Sequence, residues 1–170
     1  MTTLSIHWQR LLSQGQTCPR CGSTEAELDR AVAILRQSLT PLGIEVLLEK
    51  GELSVSEFKQ DTLQSNSIRI NDRRLEDWLG ARSGQSQCCD ICGPNDCRTL
   101  EFEDEILEVV PADLIVKAGL LAVAQRLGQG QCGCAPGQGE PCCSNSRRLK
   151  NTASEKSAIT DGNKPAPDIC

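Results

Sequence analysis

Aromatic side chains are almost missing from this chain of 170 residues: it has no tyrosine, and only Trp8, Phe58, Trp78 and Phe102 carry rings. Proteins that stack nucleobases need several such rings on one surface, so that class of function is excluded and the core must be aliphatic. Histidine is just as scarce. With His7 alone, metal sites or proton relays built on several imidazoles are also excluded. Positive charge is in deficit, with 18 basic against 23 acidic residues and a net charge of −5. The basic residues are scattered, so neither nucleic acid nor an anionic membrane is expected as a partner. Long apolar runs are lacking as well. The longest, residues 114–124, contains Lys117 and falls well short of the roughly 20 residues of a membrane span. The N-terminus shows neither a basic region nor the apolar stretch of a secretory signal. A soluble cytoplasmic protein is the expectation.

Cysteine is what the chain has in surplus. The eleven fall into three groups: Cys18 and Cys21; Cys88, Cys89, Cys92 and Cys97; then Cys132, Cys134, Cys142, Cys143 and Cys170. An odd count with two adjacent Cys-Cys pairs does not suit a disulfide framework, and a reducing cytoplasm keeps thiols free. The thiols are therefore expected to be the working groups, in redox chemistry or in soft-metal binding.

Composition divides the chain near Gly128. Beyond it Gly, Gln, Ser, Asn and Pro dominate, and the only large aliphatics are Leu149, Ile159 and Ile169, too few for a core. Residues 1–127 are expected to form one domain, with a cysteine-rich loop inserted at 83–98. Residues 128–170 are expected to form a flexible, disordered Cys-rich tail.

Within the domain, Leu4, Ile6 and Trp8 alternate as on a half-buried strand. Cys18-Pro19-Arg20-Cys21 follows, and a helix begins there, with Thr24 and Glu27 spaced as a capping box. Its packing face is Leu28, Ala31, Val32, Leu35 and Leu39, until Pro41 and Gly43 end it. Residues 44–48 read as an inner parallel strand completing a βαβ unit. Ser54 and Glu57 open a short helix that runs to about Leu63, Ile68-Arg69-Ile70 forms a third strand, and Asn71-Asp72 makes a turn. A second hairpin is expected over 99–109 with Glu101, Glu103 and Glu108 facing outward, and Pro111 opens a last helix. The expected fold class is α/β, a mixed sheet flanked by helices.

The strand, Cys-x-x-Cys, helix order and the segment Ser67-Ile68-Arg69-Ile70-Asn71 resemble the thioredoxin-like superfamily over residues 4–79. That resemblance implies a thioredoxin-like sheet and a redox-active dithiol. It departs from the pattern where Asn66 and Ser67 stand in place of the cis-proline that faces the dithiol in thioredoxins. The chain is also similar to a bacterial and archaeal family of domains of unknown function. The matching motifs are His7-Trp8-Gln9-Arg10, Thr17-Cys18-Pro19-Arg20-Cys21, Cys88-Cys89-Asp90-Ile91-Cys92-Gly93 with Cys97-Arg98-Thr99, and Val110-Pro111-Ala112-Asp113-Leu114-Ile115. This second resemblance brings no activity with it.

The chemistry of the first pair follows from position. A thiolate at a helix N-terminus is stabilised by unpaired backbone N–H groups, and Arg20 is expected to add positive charge nearby. Cys18 is then the attacking thiolate and Cys21, one turn inside, the resolving thiol. Half of a structural zinc site is the alternative. Cys89 and Cys92 have metal-ligand spacing, Gly93-Pro94 supplies a turn, and Cys88 and Cys97 bring the candidate ligands to four. Without a second imidazole such a site must be thiolate-rich, which selects Zn, Cu(I), an iron–sulfur cluster, Hg(II) or As(III). Cys132, Cys134, Cys142 and Cys143 are further candidate ligands, in metallothionein-like spacing. His7 reads as a polar residue beside a core strand, and Asp90 as either a thiol tuner or a turn cap.

Two functions of different class follow. One is a dithiol oxidoreductase whose partners are a cellular thiol reductant or a disulfide protein. The other is a protein binding zinc or another thiophilic metal or metalloid ion, with Cys18 and Cys21 available to complete its site.

Overall fold

The computed structural model of this protein describes residues 2–88 and 90–129. The expected first strand is present and longer than its apolar triplet: β1 spans Thr2–Leu11, with Leu4, Ile6 and Trp8 turned inward and His7 on the opposite face of the strand. α1 (Pro19–Leu39) returns the chain to β2 (Ile44–Leu53), which runs parallel to β1 in a register that pairs Thr2 with Ile44 and Leu11 with Leu53. α2 (Val55–Gln60), β3 (Ser67–Ile70), β4 (Arg73–Arg74) and α3 (Leu75–Leu79) follow. β3 lies antiparallel to β1, giving a mixed four-stranded sheet in the order β2-β1-β3-β4. The remaining strands, β5 (Arg82–Gln87), β6 (Asp96–Phe102) and β7 (Glu105–Leu107), form a separate antiparallel sheet before α4 (Ala112–Gln129). The fold is a mixed α/β arrangement of sheets flanked by helices.

Burial explains why these segments hold. Leu28, Ala31 and Leu35 of α1, Ile115, Ala118 and Ala122 of α4, and the inward triplet of β1 form one aliphatic core around Trp8. Each large side chain removed from water there contributes about 1.5–3 kcal/mol, which offsets the scarcity of rings. Gly119 lets α4 settle on α1: a Cβ there would stand 2.9 Å from Leu35 Cδ1.

Several local expectations are corrected. β2 is an edge strand, not an inner one, and its alternation of buried Ile44 and Val46 with exposed Glu45 and Leu47 is that of a half-covered edge. Thr24 and Glu27 do not cap α1, which starts five residues earlier with Cys18 as its N-cap. Both side chains serve the other helix instead. Thr24 Oγ1 accepts from Val110 N, and Glu27 Oε2 accepts from Ala112 N at 2.8 Å, placing a carboxylate at the start of α4. The box at Ser54 and Glu57 is formed as expected, but its helix stops at Gln60. Asp61, extended at φ −151°, breaks the chain there before a 3-10 turn, Thr62–Gln64, and its carboxylate accepts from Leu63 N. The expected loop at 83–98 is largely the β5–β6 hairpin. α4 continues to Gln129, past the composition break, and residues 130–170 lie outside the described residues. Among the described residues, no helix is long and apolar enough to cross a membrane.

Candidate functional site

Two segments distant in sequence meet at the start of α1. After β1 the chain turns through Gln14 and Gly15, both at positive φ, and reaches Cys18 in extended conformation. Cys18 is the N-cap of α1, and its sulfur accepts from Cys21 N at 3.5 Å. Pro19 takes the first helical position, where a missing N–H costs nothing. From the other side comes the tip of the β5–β6 hairpin. Cys88 follows β5 directly, Cys92 closes a 3-10 turn (Asp90–Cys92), and Cys97 lies in β6 opposite Ser86. Gly93 at φ +63° turns the chain back, and Asn95 Nδ2 donates to Cys92 O at 2.9 Å.

The tip closes on the helix start. The sulfurs of Cys18, Cys88 and Cys92 all lie within 4.8 Å of one another. Cys97 Sγ lies 3.2 Å from Cys92 Sγ and also faces Cys18. All five described cysteines are free thiols. Cys18 is 2% exposed, Cys21 and Cys97 1% and Cys92 4%, while Cys88 is half-buried and forms the rim. The sequence groups Cys18 with Cys21, and Cys88 with Cys92 and Cys97; the fold merges the two groups. Cys89 lies outside the described residues, as do Cys132, Cys134, Cys142 and Cys143.

The hydrogen bonds of the cluster favour negative charge on one sulfur, Cys18, over its neighbours. Hydrogen bonds from the Cys21, Cys92 and Cys97 thiols, in that order, hold Cys18 well below its ordinary range, against the opposing effect of burial. The neighbours move the other way. Cys21 is raised by donating to Cys18 and by burial, while Cys92 and Cys97 are raised chiefly by the same Cys18 sulfur. Cys21 Sγ lies 3.7 Å from Ser65 Oγ, whose oxygen also accepts from Leu11 N. Next to Ser65, Asn66 sits at φ +58° and accepts from Trp8 Nε1 at 3.3 Å.

Arg20 does not serve as the expected positive charge beside Cys18. Its buried guanidinium pairs with Glu108 at 2.7 Å and donates to Gln87 O at 3.0 Å, in the last residue of β5 before Cys88. Ser86 Oγ also donates to Glu108. Arg20 therefore ties the helix that carries Cys18 to the strand that delivers Cys88. Glu108 is exposed, as expected, and still serves as its partner. A second tie escapes the sequence reading. Arg98, directly after Cys97, is buried against Glu76 of α3, with Nε 2.9 Å from Glu76 Oε1, and also donates to Leu63 O and Ser83 Oγ. The signal available was an arginine set between Cys97 and the Thr99–Leu100 step of a predicted strand.

The donor set fits a soft ion. Sulfurs around tetrahedral zinc stand about 2.3 Å from the metal and so roughly 3.8 Å apart. Sulfurs already within 4.8 Å need to draw in by an ångström or less. His7, on the outward face of β1, contributes nothing here.

A family model for a domain of unknown function, DUF2703, matches residues 4–119. The chain belongs to the DUF2703 family. The matched span contains all five clustered thiols and stops short of the tail cysteines. An uncharacterized protein of Archaeoglobus fulgidus is 50% identical over 112 residues, covering 66% of this chain and 82% of that protein. No solved structure matches the chain.

Proposed function

We propose that this DUF2703 protein binds a thiophilic metal or metalloid ion (zinc, Cu(I), Hg(II) or As(III)) through Cys18, Cys88 and Cys92, with Cys97 as fourth thiolate. One observation carries this reading: sulfurs from the α1 N-terminus and the hairpin tip converge within 4.8 Å, with Cys18 and Cys92 buried and Cys88 half-buried. A soft ion would replace the protons held by Cys92 and Cys97, and thiolates are its preferred donors. Anaerobic titration with Cd(II), read by thiolate-to-metal charge-transfer absorbance, tests it. One Cd(II) per chain is expected to lose affinity by at least about a hundredfold in Cys18→Ser and in Cys92→Ser, since second-shell changes alone reach that size. Unchanged affinity and stoichiometry in both variants would sink the reading.

A second reading is supported by the N-cap position of Cys18, with Cys21 one turn on. In it Cys18 attacks and Cys21 resolves a disulfide, as in thioredoxin-like proteins, with a cellular thiol reductant or disulfide protein as partner. The β1-α1-β2 unit and the antiparallel β3 are consistent with it. Burial of Cys18 to 2% disfavours it for protein substrates, whose disulfides must reach that sulfur.

A further inference from the structure

Cys18 stands in two arrangements at once. With Cys88 and Cys92 it completes the three-sulfur group, and with Cys21 it forms a dithiol at the head of α1. Cys21 is not within the three-sulfur group; its sulfur sits deeper, beside the hydroxyl of Ser65. One sulfur cannot be both a thiolate ligand and half of a disulfide. We propose that a Cys18–Cys21 disulfide and an ion at Cys18, Cys88 and Cys92 exclude one another, so that oxidation of this pair by a small-molecule disulfide ejects the ion and reduction restores the site. The proposal rests on the ion-binding reading above and names its regulation.

The exposure pattern sets the route. Cys88 is the half-buried member and Cys18 lies behind it, so a small disulfide of the glutathione class meets Cys88 first. Whenever the ion dissociates and Cys88 regains its proton, the Cys88 sulfur bonds to one sulfur of the reagent, the reagent's S–S bond breaks, and the first thiol leaves with the Cys88 proton. The Cys18 thiolate then attacks the Cys88 sulfur and displaces the second half of the reagent, which takes a proton from water. Finally the Cys21 sulfur attacks Cys18, and Cys88 departs and accepts the Cys21 proton. Two protein sulfurs have lost two electrons, the reagent has gained them as two thiols, and Cys88 is restored. The ion has lost its one ligand from α1. Because linkage is reciprocal, bound ion must protect the dithiol to the same degree that the disulfide weakens binding.

The full-length protein is equilibrated in buffers of graded reduced and oxidised glutathione, with and without saturating Cd(II), and the Cys18–Cys21 disulfide is quantified by differential alkylation and peptide mass spectrometry. The expected result is that Cd(II) shifts half-oxidation toward a more oxidising ratio by about tenfold or more. Coincident curves, or full-affinity Cd(II) retained by protein mapped as Cys18–Cys21 disulfide, would overturn the proposal. Cys21→Ser removes a hydrogen-bond donor to Cys18 but no ligand, so it is expected to lose at most about 10–100-fold in Cd(II) affinity and to keep the wild-type charge-transfer absorbance, whereas Cys18→Ser loses both affinity and one sulfur's share of that absorbance. Equal loss in both would make Cys21 a ligand and overturn the switch. In metal-free protein Cys88→Ser is expected to slow disulfide formation by about tenfold; an unchanged rate would overturn the route through Cys88. Should reduced wild type show no Cys18-dependent Cd(II) binding, the ion-binding reading itself fails, and this is separable from a redox failure because the disulfide is mapped independently.

Discussion

A single buried sulfur, Cys18, collects hydrogen bonds from one backbone N–H and from the thiols around it. Each donor favours its charged form and penalises charge on the donor, so the cluster concentrates ionisation on one atom. In metal-free protein one cysteine is therefore expected to remain ionised well below the ordinary thiol value of 9.0, while Cys21, Cys92 and Cys97 resist ionisation above it. Ultraviolet titration of thiolate absorbance checks this. The early-ionising thiolate should vanish in Cys18→Ser and persist in Cys88→Ser, and a wild-type curve with no component below the ordinary range would contradict it. The position of Cys18 ahead of a helix was legible in the sequence. The source of its charge was not, because three of its donors are thiols, two of them brought from the hairpin tip by the fold.

At the scale of elements, the site depends on two arginines that hold the hairpin in place. Arg20 spans from α1 to Gln87 and Glu108, a reach that a planar fork of donors makes and a lysine does not. Arg20→Ala is expected to cost about 1–3 kcal/mol in urea unfolding and to weaken Cd(II) binding about 10–100-fold, with Arg20→Lys a poor rescue. If both measurements match wild type, the tie is idle. Arg98 is the more severe case, since its loss leaves the Glu76 carboxylate buried and unpaired. Arg98→Ala is expected to cost about 3–5 kcal/mol by the same measurement. Local signals read these elements well where the answer was local: alternation in β1, the Ser54–Glu57 box, and the Asn71-Asp72 turn, whose residues both sit at positive φ. They failed where a partner was remote. Thr24 and Glu27 have the spacing of a cap, yet they cap a helix that begins some 85 positions later. Arg20 reads as a charge beside a thiol only until Glu108 is folded against it.

At the scale of the whole molecule, α1 and α4 close the core over β1, and their approach is set by Gly119. Gly119→Ala brings a Cβ to 2.9 Å from Leu35 Cδ1, so the end of a fully buried side chain has to shift within the core. The overpacking loss of about 1–3 kcal/mol outweighs a helix-propensity gain of roughly 1 kcal/mol, so a lower melting temperature is expected. Gly128→Ala, also in α4 but with nothing within 4 Å of the added carbon, is the control and should melt no lower than wild type. Opposite signs would show that the helix contact is loose.

The meeting of the α1 head with a hairpin tip also sets the timing of maturation. During synthesis Cys18 and Cys21 emerge long before Cys97, with β2, β3, β4 and their helices still to be made. An ion met at that stage finds only a bare pair of thiols, and the pocket exists only after contacts of high sequence separation have formed, the slow kind in folding. On the ion-binding proposal, loading would be a post-folding event, and a nascent chain kept from completing its hairpin would leave the ribosome as an apoprotein.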